Sequence, residues 1–258
     1  MYPSDLTDVQ WSKLEPLLNE PRGKRHAGGR PRKYALRRVV DALLYVVKTG
    51  CQWRQLPADF PPWLSVHQQF RAWRDSGVWE RVTKTLREQG RQTQGRSATP
   101  TVAIIDSQSA KTVLKGGGAV MTRGKKIKGR TRHIAVDTQG NLLSVIVHSA
   151  GIQDRVAARA VLLRLFCRFD SLTTVFADGG YTGTLIDWAK QMFGYTVKIV
   201  KRNEQHLFRV LPKRWIVERT FAWLNWSRRL SKDYELRHTS AETMIYIAFT
   251  HQLLRRIA

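Results

Sequence analysis

The chain has 258 residues, 42% of them hydrophobic and 10% aromatic, enough for one or two folded domains with a true core. Its 44 Lys and Arg against 20 Asp and Glu give a formal net charge of +24. That balance points to a polyanionic partner, nucleic acid first, and away from a small-molecule substrate. Cys51 and Cys167 are far apart and show no zinc-ligand spacing, as expected of free thiols in a reducing cytoplasm. The first residues lack a basic start and an apolar core, and no apolar run reaches 18 residues. Neither a secretory signal nor a membrane span is expected.

In chain order, residues 1–95 read as helical. Leu6, Val9, Leu14, Leu17 and Leu18 suggest a first helix. Leu36, Val39, Val40, Leu43, Leu44 and Val47 repeat at helical spacing, with Gly50 as a stop. Trp63, Val66, Phe70 and Trp73 continue the pattern after Pro61-Pro62, and Val78, Val82 and Leu86 give a further helix. Between the first two, Pro21 to Lys33 is a basic linker. Short helices with exposed arginines suit a helix-turn-helix-like DNA-binding domain; a packing bundle without DNA contact is the plainer alternative. Residues 91–100 are polar and lack periodicity.

From residue 96 to 258 the texture becomes mixed α/β. Strands are expected over Thr101–Asp106, Arg132–Asp137, Leu142–His148, Thr173–Ala177 and Val197–Val200, with a hairpin turn at residues 138–141. Helices are expected over Val156–Phe166, Gly183–Phe193, Pro212–Leu230 and Ser240–Ile257. That order matches a ribonuclease H-like mixed sheet flanked by helices and preceded by the helical part.

Three acids stand where a two-metal nuclease needs them. Asp106 ends the run Thr101-Val-Ala-Ile-Ile, Asp178 ends Thr174-Val-Phe-Ala before Gly-Gly, and Glu218 lies in an Arg-rich amphipathic helix. A carboxylate repels a DNA phosphate unless a cation stands between them, so the trio suggests metal-dependent phosphoryl transfer. Each acid also has a bland reading: a turn residue for Asp106 and Asp178, an ion pair with Arg214 for Glu218. Asp137 is the most credible substitute. At about 100° per residue, Arg214, Asn225, Arg229 and Lys232 would share the face of Glu218. Arg123, Lys125, Lys126, Lys128, Arg130 and Arg132 form a glycine-interleaved basic stretch expected to close on a DNA backbone.

Across nearly its whole length the chain resembles bacterial insertion-sequence transposases of the DDE type, in the insertion-sequence-five family. The segments that carry the resemblance are Gly50-Cys-Gln-Trp-Arg-Gln-Leu-Pro57, Ile105-Asp-Ser-Gln-Ser-Ala-Lys111, Gly124–Asp137, Ala177-Asp-Gly-Gly-Tyr-Thr-Gly183, and Arg214–Leu224 running into Arg228–Glu235. The resemblance implies Asp106, Asp178 and Glu218 as the catalytic, metal-holding triad, with two Mg²⁺ ions and Mn²⁺ as a substitute. It further implies double-stranded DNA as partner (element terminal inverted repeats and target DNA), a homodimer or higher assembly on DNA, and a cytoplasmic, nucleoid-associated location. Relatives often show Tyr-x-x-Arg-x-x-x-Glu-x₆-Lys around the Glu. Here Arg214 and Glu218 match, while Leu211 and Asn225 replace the Tyr and the Lys, with Lys232 as a stand-in. Two alternatives stay open: a non-catalytic, domesticated DNA-binding protein, and a tyrosine recombinase built on His206-x-x-Arg209 and Tyr234.

Overall fold

The structure, a computed structural model, describes residues 1–19, 32–113, 120–121, 128–200 and 214–257. Most of the basic linker, together with Arg123, Lys125, Lys126, His206 and Arg209, lies outside the described residues; for Lys128 and Arg214 the backbone alone is described.

The N-terminal helices follow the apolar periodicity closely. Helix α1 (Asp8–Leu18) opens on a capping box in which Thr7 and Gln10 satisfy each other's backbone N–H groups. Helix α2 (Leu36–Thr49) stops at Gly50, whose φ of 73° is left-handed. A Cβ at Gly50 would lie 3.1 Å from the Arg228 carbonyl carbon, so the glycine both ends the helix and admits a distant segment. Helix α3 (Trp63–Asp75) begins after Pro61-Pro62, and α4 (Val78–Gln92) follows a left-handed Gly77. Trp73 and Trp79 pack edge-to-face between them.

The remaining elements are β1 (Val102–Lys111), β2 (Val120–Met121), β3 (Lys128–Val136), β4 (Leu142–Ser149), α5 (Asp154–Phe166), β5 (Thr174–Asp178), α6 (Thr184–Phe193), β6 (Thr196–Val200), α7 (Arg214–Asn225) and α8 (His238–Ile257). Strand β3 pairs antiparallel with β1 and carries β4 and the short β2 on its far side. Strands β5 and β6 continue the sheet on the other side of β1, parallel to it. Read as β4-β3-β1-β5-β6, this is the ribonuclease H-like arrangement that the element order predicts. The expected hairpin is present. Asp137 closes its turn by accepting from the backbone N–H groups of Gln139 and Asn141, and Gly140, at φ 84°, packs against Thr220 and Trp223 of α7.

Alternation along the strands divides the interior in two. Ala103, Ile105, Val175 and Ala177 face α5 and α6. Ile104, Ile134, Val136 and Val145 face α7 and α8 and merge with the apolar sides of α1 to α4. Helix α8 alone buries Met244, Ile245, Ile247, Phe249, Leu253 and Leu254, each a contribution of about 1.5–3 kcal/mol. The boundary expected at 95/96 falls in the turn between α4 and β1, yet the two segments share this one core.

Two expectations are corrected. Strand β1 does not end at Asp106 but runs on to Lys111, because β3 pairs with it along that whole length. The helix expected over Pro212–Leu230 ends at Asn225. A turn follows, with backbone N–H groups of Trp226 and Ser227 bonded to Trp223 and Leu224, and then a short 3₁₀ segment, Arg228–Leu230.

Candidate active site

Asp106 and Asp178 are brought together by strand register. Ile104 lies opposite Phe176 in the parallel β1–β5 ladder. Two residues further along each strand stand Asp106 and Asp178, where that ladder has ended and β1 and β5 part. Period-two alternation turns both aspartates to the same face as Ile104 and Phe176, the face that α7 crosses. Both line one crevice, with Ile104, Ile105, Phe176, Ala177 and Val200 as its walls. Apolar walls around two half-buried carboxylates give a low local dielectric, which strengthens their pull on any cation.

Each carboxylate is oriented by the backbone beside it. Asp106 Oδ1 accepts from the Ser107 N–H at 2.7 Å. Asp178 Oδ1 accepts from the Gly180 N–H at 2.9 Å and caps the 3₁₀ turn Gly179–Tyr181. A Cβ on Gly180 would lie 3.1 Å from that oxygen, so Gly-Gly lets the carboxylate fold over its own turn. Hard, oriented oxygens of this kind fit Mg²⁺.

Glu218 stands apart from this pair. Helix α7 buries Ile216, Val217, Thr220, Phe221 and Leu224, and Glu218 is exposed beside that face rather than in the crevice lining. Arg219, on the next flank, lies over both Trp215 and Trp223, 4.4 Å from each ring centre. Among the described residues no three His, Cys, Asp or Glu side chains are grouped closely enough to hold a metal. The structure thus brings two of the three sequence-predicted carboxylates together and places the third on the helix above them.

Asp137 is fully buried, bonded to the Arg91 guanidinium at 2.7 Å and to its own turn. Its role is structural. Tyr234 is half-buried, with the Arg229 guanidinium 5.3 Å from its ring centre.

Three arginines expected to face DNA do not. Arg130 is 2% exposed and donates to the Asp233 carboxylate and to the carbonyls of Glu235 and Leu236. Arg132 is 1% exposed and donates to the carbonyls of Leu230 and Lys232. Arg229 is clasped by Glu235, by the Cys51 carbonyl and by the rings of Trp53 and Tyr234. Period-two alternation puts Arg130 and Arg132 on one side of β3, where the segment 228–236 supplies carbonyls and carboxylates that satisfy their donors. Arg229 lies beyond the end of α7, so its supposed alignment with Glu218 does not exist. Lys232 also lies beyond that helix, but it remains exposed.

Sequence reading missed the polar groups behind the crevice. Tyr181, at the end of the Asp-Gly-Gly turn, is 1% exposed. Burial, then the Asp106 carboxylate, pushes its phenol far above the ordinary range, so it stays protonated. The alternation of β3 could have revealed His133 as inward-facing, since it is in register with Ser107.

Residues 97–253 match the family model "Transposase DDE domain", and residues 6–83 match "Putative transposase of IS4/5 family (DUF4096)". The "Insertion element IS402 uncharacterized 16.2 kDa protein" of Burkholderia cepacia is 31% identical over 83 residues, 31% of this chain and 56% of that protein. The "Putative transposase for insertion sequence element IS402" of the same organism is 32% identical over 117 residues, 42% of this chain and 55% of that one. The chain therefore spans about half the length of the curated relatives it matches. Among solved structures, the "Crystal structure of the Mos1 mariner paired end complex with Mn" aligns with 90% of this chain and 79% of its own at 11% identity and a TM-score of 0.32. The "Mos1 transposase paired-end complex with left transposon end" aligns over the same shares at 11% identity and a TM-score of 0.29.

Proposed function

Since the chain belongs to the transposase DDE-domain family of insertion sequences, we propose that it binds the ends of its element as double-stranded DNA and catalyses strand cleavage and strand transfer there. The observation that carries this reading is that Asp106 and Asp178 line one crevice, each two residues beyond the Ile104–Phe176 pair of two parallel strands, inside a chain of net charge +24. A converged carboxylate pair in so basic a protein is suited to holding cations against a phosphate.

Asp106, Asp178 and Glu218 are the residues assigned to hold two Mg²⁺ ions, or Mn²⁺ in their place. Those ions, when bound, supply activation of the attacking water or 3′-hydroxyl and stabilisation of charge on the leaving oxygen. The chain's own part is positional. Ser107 and Gly180 N–H groups fix the two aspartates, and Ile104, Phe176 and Val200 give the crevice apolar walls. Glu218 joins them from α7, and its exposure outside the crevice lining favours a carboxylate set completed only when DNA engages that helix. Arg214, Lys232 and the basic residues 123–128 are assigned to the phosphate backbone. Joining two element ends calls for a homodimer or higher assembly on DNA, acting in the cytoplasm where the nucleoid lies. Among the described residues no helix is long and apolar enough to cross a membrane.

The test is cleavage of a duplex carrying the element end, with Mg²⁺ present and then chelated. Asp178→Ala and Asp106→Ala are expected to lower the cleavage rate by about 10²-fold or more while DNA binding, followed by gel shift, persists. Cleavage that survives either substitution, or survives chelation, overturns the assignment.

A further inference from the structure

Behind the crevice, on the α5 side of the sheet, β3, β4 and the first turn of α5 gather polar groups that strand cleavage does not use. His133 is 1% exposed; its Nδ1 lies 2.8 Å from His148 Nε2, and the two rings stack with centres 5.0 Å apart. His148 Nδ1 in turn lies 2.8 Å from the Ser149 carbonyl oxygen.

These contacts fix the protons. A carbonyl oxygen can only accept, so His148 Nδ1 carries a hydrogen. A neutral His148 then has its lone pair on Nε2, and His133 must donate to it from Nδ1. That leaves the lone pair of a neutral His133 on Nε2. This buried nitrogen has no hydrogen-bond partner among the described residues, and it faces Asp154 Oδ1 at 3.6 Å. With both rings neutral, two electron-pair donors point at each other with no proton between them. Tyr181 stands edge-on to His133, with ring centres 6.0 Å apart.

We propose that His133 Nε2 and Asp154 Oδ1 are two ligands of a Zn²⁺-class divalent cation, held at a site distinct from the aspartate crevice. Tetrahedral Zn²⁺ with ordinary bond lengths sets two such ligands about 3.4 Å apart, close to the 3.6 Å found here. A metal-bound histidine characteristically donates its other N–H to an oriented acceptor; His133 does so to His148, which is itself anchored on Ser149. The Asp154 side chain is 43% exposed and gives the ion a way in. No third His, Cys, Asp or Glu joins the pair among the described residues. Solvent completes the shell, and binding is weaker than at a four-ligand structural zinc site. The ion ties β3 to the start of α5, behind the strand that carries Asp106.

The test needs no DNA. The full chain carrying Asp178→Ala, which disables the crevice, is titrated with Co²⁺ and followed by visible absorption, with Zn²⁺ as competitor. One equivalent is expected to bind with a nitrogen-ligand visible band, and Zn²⁺ is expected to displace it and to raise Tm. Asp154→Asn in the same background keeps size and helix start; it is expected to weaken Co²⁺ binding about 10-fold or more and to abolish the Zn²⁺-dependent rise in Tm. His133→Gln should do the same where it folds. Absence of Co²⁺ binding in the Asp178→Ala chain overturns the proposal, as does unchanged affinity in Asp154→Asn. Either result leaves the strand-cleavage reading intact, because neither depends on it.

Discussion

At the scale of single residues, burial decides what charge means. Arg130 sits in a basic stretch, and sequence offers no way to tell a solvated arginine from a buried one when both alternate along a strand. The structure settles it with Asp233 and two carbonyls. Removing the guanidinium leaves a buried carboxylate without its main partner, so Arg130→Met should cost about 3–5 kcal/mol in denaturant unfolding; a loss below 1 kcal/mol would contradict the clamp. Gly129 is a second such position. A Cβ there would lie 2.2 Å from the Ala110 carbonyl oxygen across the β1–β3 ladder. Gly129→Ala should therefore cost about 1–3 kcal/mol or more, seen as a lower Tm. His251 gives a pH dependence. Burial, then Arg255 and Lys48, lowers it from 6.5 to about 4. The folded state thus binds fewer protons than the unfolded one, and the stability this contributes is complete above pH 6.5 and lost as pH falls towards 4. The loss is at most about 3 kcal/mol. His251→Gln should flatten the stability profile in that window; an unchanged slope would show that His251 is not responsible.

At the scale of elements, the helices and strands were legible because their apolar spacing is regular. Both Gly50 and the Pro61-Pro62 pair act at the positions the sequence suggests. The crevice was half legible. Asp106 and Asp178 each close an apolar run, and parallel pairing in one register converts that likeness into proximity. Glu218 was harder, since periodicity gives a face but not a helix length, and the polar face seemed to continue to Lys232. Nothing in the spacing shows that the backbone turns at Trp226 and Ser227 to dock on α2. Gly50 admits that docking through its missing Cβ. Gly50→Ala would combine a left-handed strain of about 1–2 kcal/mol with a clash at Arg228. It should lower Tm and speed amide exchange over residues 228–231. Faster exchange confined to the end of α2 would show that the two elements are not coupled.

At the scale of the molecule, the expected division at residue 95 describes the order of the chain better than its packing. Helix α4 is joined to α8 through Thr83, which bonds to Thr250 and the Tyr246 carbonyl in the buried interior. A fragment of residues 1–95 should show no cooperative thermal transition, and adding a peptide of residues 236–258 should restore helicity; a stable isolated fragment would mean that the N-terminal helices carry a sufficient core of their own. The same contact sets a timetable during synthesis. Helix α8 begins 146 residues after α4 ends (238 − 92). At translation speeds of 5–20 residues per second, the apolar sides of α1 to α4 wait roughly 7 to 29 s for the helix that covers them. A nascent chain is therefore exposed to chaperones and proteases throughout that interval, and its yield in the cell should depend on how fast the ribosome reaches α8.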